Sequence, residues 1–269
     1  MRQQKKSKGT ALVTGASRGI GRAIAASLAA DGWQVTGTCR NPRRLAAEDR
    51  VPGVRYLPLD LSRKASVEAL IRKVRAVDVL VNNAGIGSIG PVEEAPMERV
   101  RALFEANFFA AVRITQAVLP GMRLRRAGTV IFLGSMASEF PRPFTAFYSA
   151  SKAALKALAE ALRMEVRSAG IRVAVIAPFN IATTFKQEDQ TRRGSPYAGA
   201  VARVKQERDR MMLGGPEAEV VADAVLDVLR ARRPRAFTSV GHHAGINATL
   251  IRLLPRRVLE AYSARRFKL

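Results

Sequence analysis

A glycine-rich turn between a short apolar run and a helical segment constrains the fold of this chain more than any other feature. It reads Thr-Gly-Ala-Ser-Arg-Gly-Ile-Gly over residues 14–21. Gly15 permits a tight turn, Gly19 lets the backbone approach an anion, and Gly21 lets the helix pack closely on the strand. The N–H groups at the start of the helix then face a phosphate. The other residues expected at this phosphate site are Ser17, Arg18 and Ile20.

Alternating apolar runs and helical-period segments place this turn at the start of a repeated pattern. We predict strands near residues 10–14, 34–39, 54–58, 77–81, 128–133, 172–177 and 236–240. We predict helices near 19–31, 62–75, 97–124, 146–169 and 216–232, with a cap for the second at residues 60–62. This alternation is typical of a parallel sheet with crossover helices. We therefore expect an α/β fold with a doubly wound parallel sheet of about seven strands and helices on both faces.

The charge balance bears on the partners of the chain. Lys and Arg number 45 against 22 Asp and Glu, a formal net charge of +23. Such a charge attracts polyanions, but the arginines are scattered and aromatic residues form only 6% of the chain, so we favour a basic solvated surface and expect no nucleic acid.

The lone cysteine, Cys39, fits a reducing cytoplasmic location. The sequence contains no run of eighteen apolar residues, so we expect no membrane span.

The second predicted strand indicates which dinucleotide the glycine turn would hold. An NAD site usually carries an acidic residue at the end of this strand, bonded to the ribose 2′-hydroxyl. Residues 35–40 read Val-Thr-Gly-Thr-Cys-Arg and contain no carboxylate. Arg40 and Arg18 are placed to bind a 2′-phosphate, which predicts NADP(H). The alternative is that Arg40 is one more surface arginine.

A tyrosine and a lysine share one face of a predicted helix. Tyr148 and Lys152 are four residues apart, so an ammonium would lie beside the phenol, lower its pKa and be free to bind the nicotinamide ribose. Ser135, thirteen residues upstream at the end of the fifth predicted strand, could hydrogen-bond a substrate oxygen. The Tyr–Lys spacing alone occurs by chance on surface helices, and the position of Ser135 is what makes it informative.

Together with Asp60, Asn107 and the stretch Asn-Asn-Ala-Gly at 82–85, these motifs resemble the short-chain dehydrogenase/reductase family over residues 9–240. The resemblance implies a single-domain Rossmann fold. It also implies a catalytic tetrad in which Asn107 positions a water that joins Lys152 to a proton relay. The tetrad consists of Asn107, Ser135, Tyr148 and Lys152. The same resemblance implies adenine contacts from Asp60 and Leu61, and further cofactor contacts from Asn82, Ala84, Gly85, Tyr148, Lys152, Pro178, Ile181 and Thr183.

One position departs from the family pattern. Phe179 stands where members commonly have glycine after the sixth strand. Phenylalanine does not readily adopt the positive φ that glycine allows, so either this loop runs differently or Phe179 forms an apolar wall of the substrate cleft. Other candidate walls are Phe140, Phe144, Phe147 and Phe185.

The expected function is NADP(H)-dependent hydride transfer between the nicotinamide and a carbonyl or secondary alcohol. A loose likeness to hydroxysteroid and retinol dehydrogenases suggests a lipophilic or steroid- or retinoid-like substrate. The alternative is a non-catalytic nicotinamide-nucleotide-binding regulatory protein of the same fold, which would have no need of the proton relay.

We divide the chain into a catalytic Rossmann domain, residues 1–241 with a substrate lid at 184–215, and a basic-apolar helical extension at 242–269. The extension would cover the cleft or a second subunit, and the alternative, peripheral contact with a membrane, is less favoured. The resemblance implies a homodimer or homotetramer joined through the long helices near 97–124 and 146–169. His242 and His243 have no other ligands in view, so we expect no metal.

Overall fold

The structure is a computed structural model that describes residues 7–74, 76–242 and 244–268. Within these residues the strands are, in chain order, β1 Thr10–Val13, β2 Gln34–Cys39, β3 Val54–Pro58, β4 Val79–Asn82, β5 Gly87–Ile89, β6 Gly128–Leu133, β7 Ile171–Phe179, β8 Gln187–Asp189 and β9 Phe237–Gly241. Seven of them form one parallel sheet in the order β3-β2-β1-β4-β6-β7-β9, and β5 pairs with β8 in a small parallel sheet. The fold class predicted from the sequence is confirmed, and the bounds of the seven predicted strands are correct to within two residues.

Helices connect the strands on both sides of the sheet. In chain order they are α1 Gly19–Ala30, α2 Lys64–Ile71, α3 Met97–Phe104, α4 Ala110–Arg125, α5 Ala146–Glu165, α6 Ala198–Leu213, α7 Glu219–Arg230, α8 Ala244–Leu253 and α9 Arg256–Phe267. A single π-helical turn, Glu105–Phe109, joins α3 to α4. The predicted cap of α2 at residues 60–62 is wrong, because Asp60 accepts hydrogen bonds from Ser62 in a local turn and the helix begins later. Arg75, the predicted end of this helix, lies outside the described residues.

Two apolar layers hold the helices on the sheet. One face packs against α1 and α7, with Ile24, Leu28 and Val225 fully buried beside strand residues such as Val13. The opposite face packs against α2, α4 and α5. The chain runs outward from β1 through β2 and β3, and then crosses to β4 on the other side of β1. In such sheets the crevice at the carboxyl ends of the central strands, where the order reverses, is where ligands bind.

The continuous helix from Met97 to Arg125 is long and apolar enough to cross a membrane by length and composition alone, with a mean hydropathy of 1.2 and 44% of its most apolar window buried. The buried part includes Ile114, Val118 and Met122, which pack into the core beneath the sheet. Burial in this core accounts for part of its apolar character, and the remaining residues of the helix are half-buried or exposed.

The end of the chain packs onto the segment expected to be a lid. Phe267 in α9 is buried against Val201 and Val204 of α6, and Arg266 forms an ion pair with Glu207 at 2.8 Å. Helix α8 contacts β9. The described part of 242–269 is therefore largely helical and joined to the same body as the sheet, and His243 lies outside the described residues.

Candidate active site

A cleft of about 1000 Å³ lies at the carboxyl end of the sheet. It collects residues that are distant in the sequence, from the first turn to α6. Residues of the phosphate turn that line it are Gly15, Ser17, Arg18, Gly19, Ile20 and Gly21. Other predicted site residues that line it are Arg40, Asp60, Leu61, Ala84, Gly85, Ser135, Tyr148, Lys152, Pro178, Ile181 and Thr183. The structure thus brings nearly all the predicted site residues into one cavity.

The glycine turn has the backbone geometry that its sequence predicts. Gly15 and Gly19 have positive φ values of 69° and 51°, which glycine adopts at little cost. A Cβ on Gly21 would lie 2.1 Å from the carbonyl oxygen of Gly15, so a larger residue would push the helix away from the turn. Thr38 at the end of β2 accepts a hydrogen bond from the Gly15 N–H at 3.1 Å. The turn therefore holds α1 with its N-terminus open to the cleft.

Arginines gather at the end of the cleft next to β2. Arg18 and Arg40 are exposed, and neither side chain has a hydrogen-bond or ion-pair partner within the part of the chain that the structure describes. Arg44, which the sequence analysis did not single out, lines the same wall. The nearby carboxylate, Asp60, is held by Ser62, whose hydroxyl donates to it at 2.6 Å. This end of the cleft is positive and open, as a phosphate site requires.

Tyr148, Ser135 and Lys152 meet at the other end of the cleft. The Ser135 hydroxyl is close enough to the Tyr148 oxygen to stabilise the phenolate by hydrogen bonding. Lys152 is 6% exposed, and its ammonium donates to the carbonyl oxygen of Leu133 at 2.9 Å. Burial lowers the pKa of Lys152 to about 8. The lysine is thus a buried cation held against the end of β6, where it can exchange a proton near neutral pH.

The charges that act on the phenol include two that the sequence did not predict. Burial raises the pKa of Tyr148 above its ordinary value, and the charges that oppose this rise come from Arg142 and Arg208, in addition to the Ser135 hydrogen bond. The Lys152 ammonium is desolvated and donates to a backbone carbonyl. The phenol therefore keeps its proton at neutral pH and is suited to act as an acid.

Asn107 lies behind the wall of the cleft. Its side-chain oxygen accepts from the Ile86 N–H at 2.8 Å, and its amide donates to the Ile86 carbonyl at 2.9 Å and to Ser151 at 3.1 Å. The π-helical turn places it there, and such turns often mark functional sites. A Cβ on Gly85 would lie 2.9 Å from the Asn107 oxygen and 3.7 Å from the Lys152 nitrogen. Asn107 and Lys152 therefore lie close together behind the loop at Gly85.

Asn82, predicted to lie along the cofactor, is not among the residues that line the cleft. Asn82 is 4% exposed and its amide donates to Thr115 of α4 at 3.0 Å, because the side chain at this strand position points to the opposite face. Its neighbour Asn83 lines the cleft instead and donates to the carbonyl oxygens of Thr14 and Gly15 at 2.8 and 3.2 Å. Asn82 and Asn83 are adjacent in one sequence motif, and their side chains point to different places in the fold.

The loop after β7 accommodates Phe179, at the position where the family commonly has glycine, without requiring a positive φ there. The strand continues through Phe179, and the positive φ of 51° falls on Asn180, a residue type that tolerates it. Phe179 is not among the residues that line the cleft, so the alternative in which it forms a wall is wrong. Its ring instead lies 5.9 Å from the Arg142 guanidinium.

The segment 184–215 forms one wall of the cleft through residues that include Phe185 and Met212. The Phe185 ring lies 6.1 Å from that of Tyr148. Phe144 packs against Tyr197, 6.1 Å away, and Phe140 and Phe147 are not among the lining residues. Of the four phenylalanines considered as walls, Phe185 alone lines the described cleft. No group of three or more metal-ligating His, Cys, Asp or Glu side chains occurs among the residues that the structure describes.

Comparison with known proteins places this geometry among related chains. The family model of the short chain dehydrogenases matches residues 9–194. A 3-ketodihydrosphingosine reductase of Bacteroides thetaiotaomicron is 33% identical over 238 residues, which cover 86% of this chain and 87% of that protein. A 3-oxoacyl-(acyl-carrier-protein) reductase of Escherichia coli is 39% identical over 223 residues, 80% of this chain and 87% of that protein. The crystal structure of a short-chain dehydrogenase from Streptomyces avermitilis has a TM-score of 0.79 and 30% identity, covering 96% of this chain and 99% of that one.

Proposed function

Because this chain belongs to the short-chain dehydrogenase/reductase family, we propose that it uses NADP(H) to interconvert a ketone and a secondary alcohol on a lipophilic substrate. The observation that carries the proposal is the position of Tyr148, Ser135 and Lys152 at one end of the cleft whose other end holds the glycine turn. A nicotinamide cofactor and a small-molecule substrate follow from the family. The 2′-phosphate and the nature of the substrate are our inference.

The residues present fit a dinucleotide. Gly21 leaves the space that a side chain would fill between α1 and the turn, and the open N-terminus of α1 suits a pyrophosphate. Arg18, Arg40 and Arg44 suit the 2′-phosphate of NADP(H), since no acidic residue follows β2 to repel it. When bound, NADPH supplies the hydride that the carbonyl carbon receives.

Tyr148 gives a proton to the carbonyl oxygen in the reductive direction. Because burial keeps its pKa high, the phenol arrives protonated, and the Ser135 hydroxyl orients the same oxygen. The resulting phenolate is stabilised by Ser135 and by the positive charges of Arg142 and Arg208. Lys152 and Asn107, next to each other behind Gly85, offer a route for proton replacement through a water, and the reverse sequence oxidises an alcohol.

The substrate is proposed from the cleft and from the relatives. Phe185, Met212 and Ile181 give the substrate end apolar walls, which suits a lipophilic chain. The two relatives described above are named as reductases of a 3-keto or 3-oxo compound, and neither name refers to a steroid or a retinoid. We therefore propose an aliphatic ketone and do not extend the proposal to steroids or retinoids.

The proposal is tested by mixing the purified protein with NADPH and a panel of aliphatic ketones of graded chain length. We expect the nicotinamide absorbance to fall for the ketones and to stay constant without substrate. Binding of NADPH with no turnover of any ketone or alcohol would favour the non-catalytic alternative.

Arg40→Asp tests the choice of cofactor. We expect it to weaken NADPH binding by about 100-fold, because it replaces charge-assisted hydrogen bonds by repulsion, and to change NADH binding by less than about threefold. The measurement is the dissociation constant of each reduced coenzyme, followed by fluorescence titration. Arg63→Asp, an exposed arginine outside the cleft, is the control. An unchanged preference in Arg40→Asp would show that Arg40 does not bind the phosphate.

The exposed apolar surface of the long helices supports a homodimer or homotetramer. Phe109 is 46% exposed and Met164 on α5 is 73% exposed. Apolar faces of this kind are commonly covered in an oligomer. Light scattering should give a mass at least twice that of the 29.2 kDa chain. A monomeric mass at micromolar protein concentration would contradict this proposal.

A further inference from the structure

Two arginines from different parts of the fold stand beside Tyr148 at the substrate end of the cleft. Arg142 lies in the loop between β6 and α5, and Arg208 lies on α6. Both line the cavity and both are near enough to the phenol to affect its charge state. Neither arginine belongs to a motif that the sequence displays.

Their contacts leave donors free to face the cleft. Arg142 donates from Nη2 to the side-chain oxygen of Asn180 at 2.9 Å and lies over the ring of Phe179. Arg208 donates to the carbonyl oxygen of Phe185 at 2.6 Å, and its side chain is 12% exposed. A guanidinium has five N–H donors, so neither group is saturated by these bonds.

Their charges are poorly balanced by acids. Among the residues that the structure describes, no carboxylate lies within ion-pair distance of Arg142, and the partner of Arg208 is its exposed neighbour Asp209 at 3.3 Å. Burial lowers the pKa of Arg142, and repulsion from Arg208 and Arg266 lowers it further.

Two other charged groups nearby are already paired. Arg266 is held by Glu207. Glu188, a carboxylate that lines the cleft, forms an ion pair with Arg99 at 3.0 Å. Arg142 and Arg208 thus lie next to the reacting end as partly desolvated like charges, an arrangement that an anion would stabilise.

We propose that Arg142 and Arg208 bind an anionic group of the substrate, a carboxylate or a phosphate, placed a few bonds from the carbonyl that Tyr148 protonates. This rests on the proposed function, because it names the polar end of the lipophilic ketone. Planar guanidinium groups bind both anions through paired N–H donors. The lipophilic chain would then extend along the wall at Phe185 and Met212.

The test measures binding without turnover. The protein is saturated with oxidised coenzyme, with which a ketone cannot react, and is titrated by calorimetry with levulinate, its neutral methyl ester or acetonylphosphonate. We expect at least one of the two anions to bind about 10- to 100-fold more tightly than the ester, the range of hydrogen bonds to a charged group. The comparison of levulinate with the phosphonate shows which anion is preferred.

Arg208→Met and Arg142→Met should each reduce this preference by at least about tenfold while changing the affinity for the ester by less than about threefold. Two separate variants keep the test valid if one of them does not fold. Arg203→Met, which removes an exposed arginine of the same helix outside the cleft, should retain the preference.

Equal binding of the anions and the ester by the unmodified protein, or a preference that survives in the two arginine variants, would overturn the proposal. In that case the two arginines serve only to stabilise the phenolate. Oxidation of NADPH by neutral ketones is followed separately. If no ketone is reduced but the anion preference is present and sensitive to Arg208, the reductase proposal fails and the anion site stands.

Discussion

Tyr148→Phe is expected to lower the rate of ketone reduction by about 10³-fold, because it removes the only atom of this side chain that can transfer a proton. The ring remains, and so does its packing against Phe185 at 6.1 Å. Affinity for the reduced coenzyme should change by less than about tenfold, which is the loss of affinity expected when one hydrogen bond is removed. The measurement combines steady-state NADPH oxidation with a coenzyme titration of the same preparation.

The matched control is Tyr197→Phe, which removes the hydroxyl of a tyrosine that packs on Phe144 away from the cleft. It should keep full activity. Near-normal turnover in Tyr148→Phe would mean that another group donates the proton, and a loss of coenzyme binding to match the loss of turnover would mean that Tyr148 acts by positioning the dinucleotide.

The direction of the Tyr148 pKa shift also sets the pH dependence of the unmodified enzyme. Since burial raises this pKa above its ordinary value of about 10, the phenol is protonated across neutral pH. Reduction should therefore not decline through loss of the Tyr148 proton below about pH 10, whereas oxidation, which needs the phenolate, should increase with pH.

Much of this site could be predicted because local sequence determines it. The glycine turn specifies its own backbone, since Gly15 and Gly19 supply the positive φ values and Gly21 the close contact. The positions of Tyr148 and Ser135 followed from where helix and strand begin and end. These features depend on neighbours along the chain, which a sequence displays directly.

The features that sequence reasoning missed depend on tertiary contacts. Asn82 and Asn83 are adjacent, and only the pairing of the strand with its neighbours decides which one faces the cleft. Arg142 and Arg208 are two of many arginines in a strongly basic chain, and nothing local distinguishes them. Their role follows from the fold, which brings α6 over the loop before α5.

The same limit applies to Lys152. Its spacing from Tyr148 suggested that it lowers the pKa of the phenol, but its ammonium instead donates to the Leu133 carbonyl and loses much of its hydration. A buried cation that no carboxylate pairs within the described residues destabilises the folded state. Retention of such a residue is understandable if its proton is used in the reaction, and its cost in stability can be measured.

Lys152→Met should lower turnover by about 100-fold or more and should also alter how stability depends on pH. The folded-state pKa of Lys152 is about 8, against about 10.4 in an unfolded chain. Between these values the unfolded state binds more protons, so the free energy of unfolding of the unmodified protein rises with pH. The free-energy cost of burying the charged lysine is fully present below pH 8, and about 3 kcal/mol of this cost is lost by pH 10.5.

The variant lacks this group, so the difference in unfolding free energy between the two proteins should move in favour of the unmodified protein by up to about 3 kcal/mol between pH 7 and pH 10.5. Chemical denaturation at several pH values, without coenzyme, measures this difference. Comparing proteins over a pH range cancels the constant cost of losing the bond to Leu133, 2.9 Å in length. Lys64→Met, which removes an exposed lysine whose ion pair with Glu68 is 3.9 Å long, should give a difference that does not change over this range. A constant difference for Lys152→Met as well would show that its ammonium is solvated, and the buried proton carrier would have to be sought in another residue.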